Sequence, residues 1–158
     1  MNKGFVGDRA FLSNFFPVTI FAMGKEWPSS EHLYQAMKTV DPVEREAVRV
    51  LPRPATTKKF GKSITLRPDW EQIRIEVMRD VVRAKFQQNP ALAMQLVETR
   101  DDVLVEHNWW HDNFWGVCNC QSCQDAPKAR NELGKILMAV RAELLTMPVI
   151  RDQVAWRW

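Results

Sequence analysis

Glu31, Tyr34, Gln35 and Lys38 place a carboxylate, a phenol, an amide and an amine at i, i+3, i+4 and i+7. A helix through this segment carries all four on one face. Leu33, Ala36, Met37 and Val40 repeat the spacing two residues later, about 200° round the helix at 3.6 residues per turn, and form an apolar stripe. The polar set could protonate a leaving group, hold a sugar or base by hydrogen bonds, and supply an amine. Spacing alone does not require that chemistry. Polar residues opposite an apolar stripe are what any surface helix shows. Glu31 in a first turn and Lys38 near a helix end also complement the macrodipole without reacting with anything.

The residues before this face read as a helix entry. In Trp27-Pro28-Ser29-Ser30 a serine hydroxyl can accept a bond from an orphan N–H of the first turn. Other segments carry further candidates. Asn14 offers both donor and acceptor to the edge of a flat base, with a turn residue as the plain alternative. Phe15, Trp27 and Trp115 could stack on such a base, although large aromatics dominate cores. Asn131 and Gly134 open the last helix, whose first N–H groups make a natural phosphate seat.

Leu12-Ser13-Asn14-Phe15, Trp27 to Lys38, Arg67-Pro68-Asp69-Trp70, Lys85-Phe86, Leu104-Val105-Glu106, Asp112 to Gly116 and Asn131 to Met138 occur in this order. Together they resemble the NADAR superfamily, over about residues 5 to 145. These are N-glycosidases, including some that act on riboflavin-biosynthesis intermediates and some that remove ADP-ribose from guanine bases. The resemblance implies hydrolysis of a base–ribose bond in a phosphoribosyl or ADP-ribosyl compound, with no cofactor. It implies Glu31 and Lys38 as catalytic residues, and a Schiff-base lysine exists in some members at the position of Lys38. The implied substrate-binding set adds His32, Gln35 and Asp112 to Asn14, Phe15, Trp27, Trp115, Asn131 and Gly134, with Asp112 holding ribose hydroxyls. The partner would be a nucleotide-like small molecule or an ADP-ribosylated nucleic acid, the oligomeric state being open. A non-catalytic reader of ADP-ribose or nucleotides is the alternative, and a zinc-stabilised interaction module a third.

The departure from the family pattern lies between Gly116 and Asn131, where many relatives are glycine-rich. This chain reads Val117-Cys118-Asn119-Cys120-Gln121-Ser122-Cys123 instead. Cys120-x-x-Cys123 has zinc-ligand spacing, and His111 could complete a Cys₃His set. One half-knuckle is a weaker signal than two. The expectation is therefore an insert loop near the pocket with reduced cysteines, no metal and no disulfide.

Composition limits the classes. Of 158 residues, 46% are hydrophobic and 26% charged, ordinary values for one globular domain with a real core. A net charge of +3 permits a phosphate-bearing ligand without announcing a nucleic-acid binder. The nearest basic cluster is Arg53, Lys58, Lys59 and Lys62, a solvated turn or a phosphate-facing loop. No apolar run reaches the eighteen or more residues of a membrane span, and no signal pattern opens the chain. A cytoplasmic protein with no membrane partner follows as the expectation.

The elements that must position these groups read as a mostly helical α+β domain over residues 1–147, with a few short strands and a tail at 148–158. Val18 to Met23 reads as a strand. A helix from about Ser30 ends before Asp41-Pro42, and Pro42 opens another through Leu51. The clearest helix spans about Asp69 to Gln88, on the spacing of Trp70, Ile73, Val77, Val81 and Ala84. Asn89 then serves as N-cap and Pro90 as first residue of the next helix. Val103-Leu104-Val105 reads as a strand. Leu133, Ile136, Leu137, Val140 and Leu144 form the core stripe of the last helix.

Overall fold

A computed structural model of the chain describes residues 4–123, 128–146, 156 and 158. The fold is α+β and mostly helical, as expected, with four strands of two or three residues each among the described residues. Its contacts fall into two compact units, one of residues 14–90 with the described end of the chain, the other of residues 4–13 and 91–146.

The unit of residues 14–90 begins with a hairpin, β1 (Ile20–Ala22) against β2 (Lys25–Trp27), in antiparallel register. Met23 and Gly24 join them, both at positive φ (53° and 71°). Two left-handed central residues are what a two-residue turn needs to match strand twist. Helix α1 (Ser30–Ala36) follows, with Ser29 as N-cap accepting from the His32 N–H. Asp41 caps α2 (Pro42–Arg49) from its side chain, and Pro42 occupies the first turn.

Helix α3 (Pro54–Phe60) occupies the basic stretch expected to be a turn or loop. Pro54 sits in its first turn, where its missing N–H costs nothing. Helix α4 (Trp70–Gln88) buries Trp70, Val77, Val81 and Ala84 as the spacing predicts. Trp158, in the expected tail, donates its indole N–H to Asp80 of α4 at 2.8 Å. Residues 147–155 and 157 of that tail lie outside the described residues.

Two expectations are corrected here. Every residue of α1 is buried, because α2, α3, α4, β1 and β2 all pack against it, so its polar face is not solvent-facing. The helix stops at Ala36, where the N–H groups of Met37, Lys38 and Thr39 bond three residues back in 3₁₀ fashion. Val40 thereby leaves the apolar stripe and is exposed. Asn89 also closes α4, its amide donating to the carbonyls of Lys85 and Thr19, and Pro90 directly after it opens the next helix as expected.

In the other unit, a 3₁₀ turn (Gly7–Leu12) precedes the bulk of α5 (Pro90–Glu98). β3 (His107–Asn108) and β4 (Val117–Cys118) pair in parallel, and α6 (Glu132–Thr146) closes the unit. Leu133, Ile136, Leu137 and Val140 are buried along α6 as expected. No strand forms at 103–105. The Asn131 side chain bonds the Glu106 N–H and the Leu104 carbonyl, supplying those backbone partners from a side chain rather than a strand. No helix among the described residues is long and apolar enough to cross a membrane.

Candidate active site

The groups able to do chemistry gather on α1. Glu31 and Gln35, one turn apart, are both buried, and the Gln35 amide donates to Glu31 Oε1 at 2.7 Å. The Glu31 N–H donates to the Asn14 carbonyl at 3.0 Å, which fixes Asn14 beside the start of the helix. Asn14 is buried too, its amide nitrogen donating to Met78 Sδ at 3.3 Å.

Three oxygens around this helix, Asn14 Oδ1, Ser30 Oγ and Gln35 Oε1, are buried with no hydrogen-bond partner among the described residues. Leaving a buried polar group unsatisfied costs about 1–3 kcal/mol. Such groups are explained when a ligand completes them.

Gly61 makes room for one of these groups. A Cβ there would lie 1.9 Å from Gln35 Oε1, so only glycine lets the Gln35 amide occupy its place. The reason is space and not backbone freedom, since Gly61 has ordinary helical angles (φ −60°).

Lys38 lies just past the end of α1, half-buried, with Nζ 5.9 Å from the centre of the Tyr34 ring. Burial pushes its pKa below the usual lysine value, Glu31 opposes the shift, and Lys58 and Lys62 lower it further. The amine is therefore easier to deprotonate than a surface lysine's. Tyr34 in turn packs on Trp70, ring centres 5.2 Å apart. Lys58 Nζ also stands 5.9 Å from the ring of Phe15, which is partly exposed. Glu31, Gln35, Lys38, Asn14, Phe15, Tyr34, Lys58 and Lys62 thus belong to one compact unit.

Other expected site residues are engaged in the fold. Trp27 is fully buried and donates its indole N–H to the Ala22 carbonyl across the hairpin. The His32 Nε2 faces the Leu51 carbonyl at 3.0 Å and Nδ1 faces Ser29 Oγ at 2.7 Å. A carbonyl only accepts, so Nε2 carries the proton and Nδ1 accepts from the serine hydroxyl. Burial keeps the imidazole pKa low, against the Leu51 carbonyl, which raises it. His32 thus ties α1 to the end of α2.

In the second unit, Asp112 Oδ1 accepts from the N–H groups of Phe114 and Trp115, a local turn. Trp115 sits edge-on to Phe114. The phosphate seat expected at α6 is already filled. The Glu132 and Leu133 N–H groups donate to the carbonyls of Phe114 and Trp115, and the Asn131 amide uses both its ends. A Cβ at Gly134 would lie 2.1 Å from the Leu104 carbonyl, so this glycine serves close packing. A cavity of about 490 Å³ in this unit is lined by Phe5, Glu106, His107, Trp109 and Trp110 among others, and by none of the α1 groups.

Sequence spacing did not bring Ser30 or Gly61 to Glu31 and Gln35, nor Lys58 and Lys62 to Lys38. Tyr34 was legible on the same face as Glu31. The lysines come from α3 and the turn after it, and no local pattern links them to Lys38.

The NADAR domain family model matches residues 5–145. The chain belongs to the NADAR family. It is 37% identical to N-glycosidase YbiA of Escherichia coli over 139 residues, 87% of this chain and 82% of that protein. A riboflavin biosynthesis protein of Vibrio vulnificus is 45% identical over 139 residues, but the chain spans only 36% of its length. The NMR structure of E. coli YbiA superposes with a TM-score of 0.75 at 37% identity, covering 88% of this chain and 80% of YbiA. This NADAR protein is accordingly an enzyme of the N-glycosyl hydrolase class.

Proposed function

We propose that this NADAR enzyme hydrolyses the bond between a base and ribose in a phosphoribosyl or ADP-ribosyl compound, with Glu31 and Lys38 as its reacting groups. The observation that carries this reading is the burial of α1's polar face. A surface helix would leave Glu31 and Gln35 in water. Here they are buried and hydrogen-bonded to each other, beside three acceptor oxygens without partners.

The chemistry divides naturally between the two groups. Breaking the glycosidic bond leaves negative charge on the base and positive charge on C1′. Glu31 donates a proton to the departing base and later takes one from water. Lys38, its amine favoured by burial, attacks C1′ as the C1′–N bond breaks. Ring opening then leaves an imine between Nζ and C1′. Water adds to that imine, restoring the amine and releasing the sugar aldehyde, which recloses. Asn14, Ser30 and Gln35 present acceptors to N–H or hydroxyl groups of the substrate. Lys58 and Lys62 supply positive charge near Lys38 for its phosphate.

The name of the V. vulnificus relative supports the small-molecule branch, a phosphoribosyl pyrimidine of riboflavin biosynthesis. The test incubates the enzyme separately with such an intermediate and with ADP-ribosyl-guanine DNA, and reads released base and sugar by mass spectrometry. Ribose 5-phosphate from the first supports the proposal and names that branch; ADP-ribose from the second supports it and names the other. Binding of both with turnover of neither would make the protein a reader and overturn the reading.

A further inference from the structure

The cysteine loop gathers four metal-binding side chains that the N-glycosidase reading does not use. His111 Nδ1 lies 3.3 Å from Cys120 Sγ and 3.3 Å from Cys123 Sγ, while the His111 N–H points at Cys118 Sγ, also at 3.3 Å. All four donor atoms fall within 4.8 Å of one another. Every one belongs to the same compact unit. We propose that His111, Cys118, Cys120 and Cys123 form a structural Cys₃His zinc site.

Donor type and size both fit. Three sulfurs and one imidazole nitrogen form a set that favours zinc over harder cations. Zinc–sulfur bonds of about 2.3 Å set the edges of a tetrahedron at about 3.8 Å. The separations found here, from 3.3 Å to at most 4.8 Å, bracket that edge. Four protein donors leave no open coordination position, which is the mark of a structural rather than a catalytic zinc.

The backbone delivers each donor separately. Cys118 is the last residue of β4, its N–H held by Asn113 Oδ1 at 2.9 Å. Cys120 and Cys123 flank a tight turn closed by the Cys123 N–H on the Cys120 carbonyl at 3.1 Å. His111 reaches them from the other side of the loop with φ at 65°. That left-handed conformation costs a non-glycine residue about 1–2 kcal/mol. It is the turn that brings the imidazole onto the thiols. A lone CxxC does not place a histidine nine residues upstream at its sulfurs; the parallel pairing of β3 with β4 does.

The site would cross-link a loop with work to do. Between His111 and Cys118 run Asp112, Phe114 and Trp115, and the carbonyls of the last two receive the first N–H groups of α6. Zinc binding would thus hold the α6 entry in place, replacing the expectation of metal-free cysteines. It is independent of the N-glycosidase reading.

Elemental analysis of the purified full-length protein tests this. About one zinc per chain is expected, released by a thiol-modifying mercurial. Cys120→Ser with Cys123→Ser should lower zinc below about a tenth per chain. The melting temperature should fall, and the wild-type value should fall likewise in strong chelator. Should the double variant not fold, cobalt titrated into chelated wild-type protein decides. Saturation at one equivalent with the intense visible absorption of a tetrahedral thiolate complex supports the site. Wild-type protein that binds neither zinc nor cobalt under reducing conditions overturns it, as does full zinc content in the double variant.

Discussion

The Gln35 amide nitrogen donates to the Glu31 carboxylate at 2.7 Å with both side chains buried, and the oxygen of that amide has no partner among the described residues. One bond thus orients the carboxylate while leaving Gln35 an acceptor for a ligand. A carboxylate held this way loses conformational freedom before substrate arrives, which favours proton transfer at a defined position.

Glu31→Gln separates chemistry from capping. The change keeps volume and most hydrogen bonds but removes charge and proton transfer. Turnover should fall about 10²–10⁴-fold with the melting temperature little changed, because a capping carboxylate contributes well under about 2 kcal/mol. Both are measured on one purified variant, with ribose 5-phosphate binding as control. Near-normal turnover would take Glu31 out of the mechanism.

Lys38 should be trapped by borohydride during turnover as a reduced ribose adduct, located by peptide mass spectrometry. Lys38→Arg should give no adduct and no turnover, since a guanidinium is neither a nucleophile here nor deprotonated near neutral pH. An active Lys38→Arg enzyme would leave the lysine only an electrostatic role.

The pH profile should report the neighbours of Lys38. Lys58 and Lys62 lower its pKa, so the unprotonated amine forms at lower pH than it would without them. Lys58→Ala with Lys62→Ala removes two like charges and should move the acidic limb of kcat to higher pH. KM for a phosphate-bearing substrate should also rise. An unmoved limb would show that the limb belongs to another group.

Gly61→Ala should damage the site more than the fold. The added methyl group meets Gln35 Oε1 and must push the amide away from Glu31. Overpacking costs about 1–3 kcal/mol, whereas loss of the Glu31 orientation should cut turnover at least tenfold. Equal turnover in Gly61→Ala would mean that the Gln35–Glu31 bond is dispensable.

Lys85 is buried with its ammonium between the rings of Phe16 and Phe86, and burial pushes its pKa down to about 7. Below that pH the folded chain must hold a charge it disfavours. Between about 7 and the lysine value of 10.5 the unfolded chain binds more protons, so this group makes stability rise with pH. Lys85→Met should therefore raise the melting temperature most below pH 7, with the gain shrinking toward pH 10.5. A pH-independent difference would mean that Lys85 does not titrate in this range.

Local signals were legible from sequence because they are local. Ser29 caps where its hydroxyl finds a first-turn N–H group, and Pro42 and Pro90 start helices because proline lacks an N–H to lose. The spacing of Glu31 and Gln35 likewise put them on one helix face before any packing was known. What no spacing could decide was that neither side of α1 would meet water. That depended on α3 and α4 closing over the polar face, and on Gly61 leaving room for the Gln35 amide. The same holds for Asn131 and His32, whose partners Leu104 and Leu51 are distant in sequence. His111 and the three thiols meet through the parallel pairing of β3 with β4 together with the left-handed turn at His111. Hydrogen bonds along a helix follow from neighbours in the chain; burial and convergence follow from neighbours in space, and those the tertiary structure alone supplies.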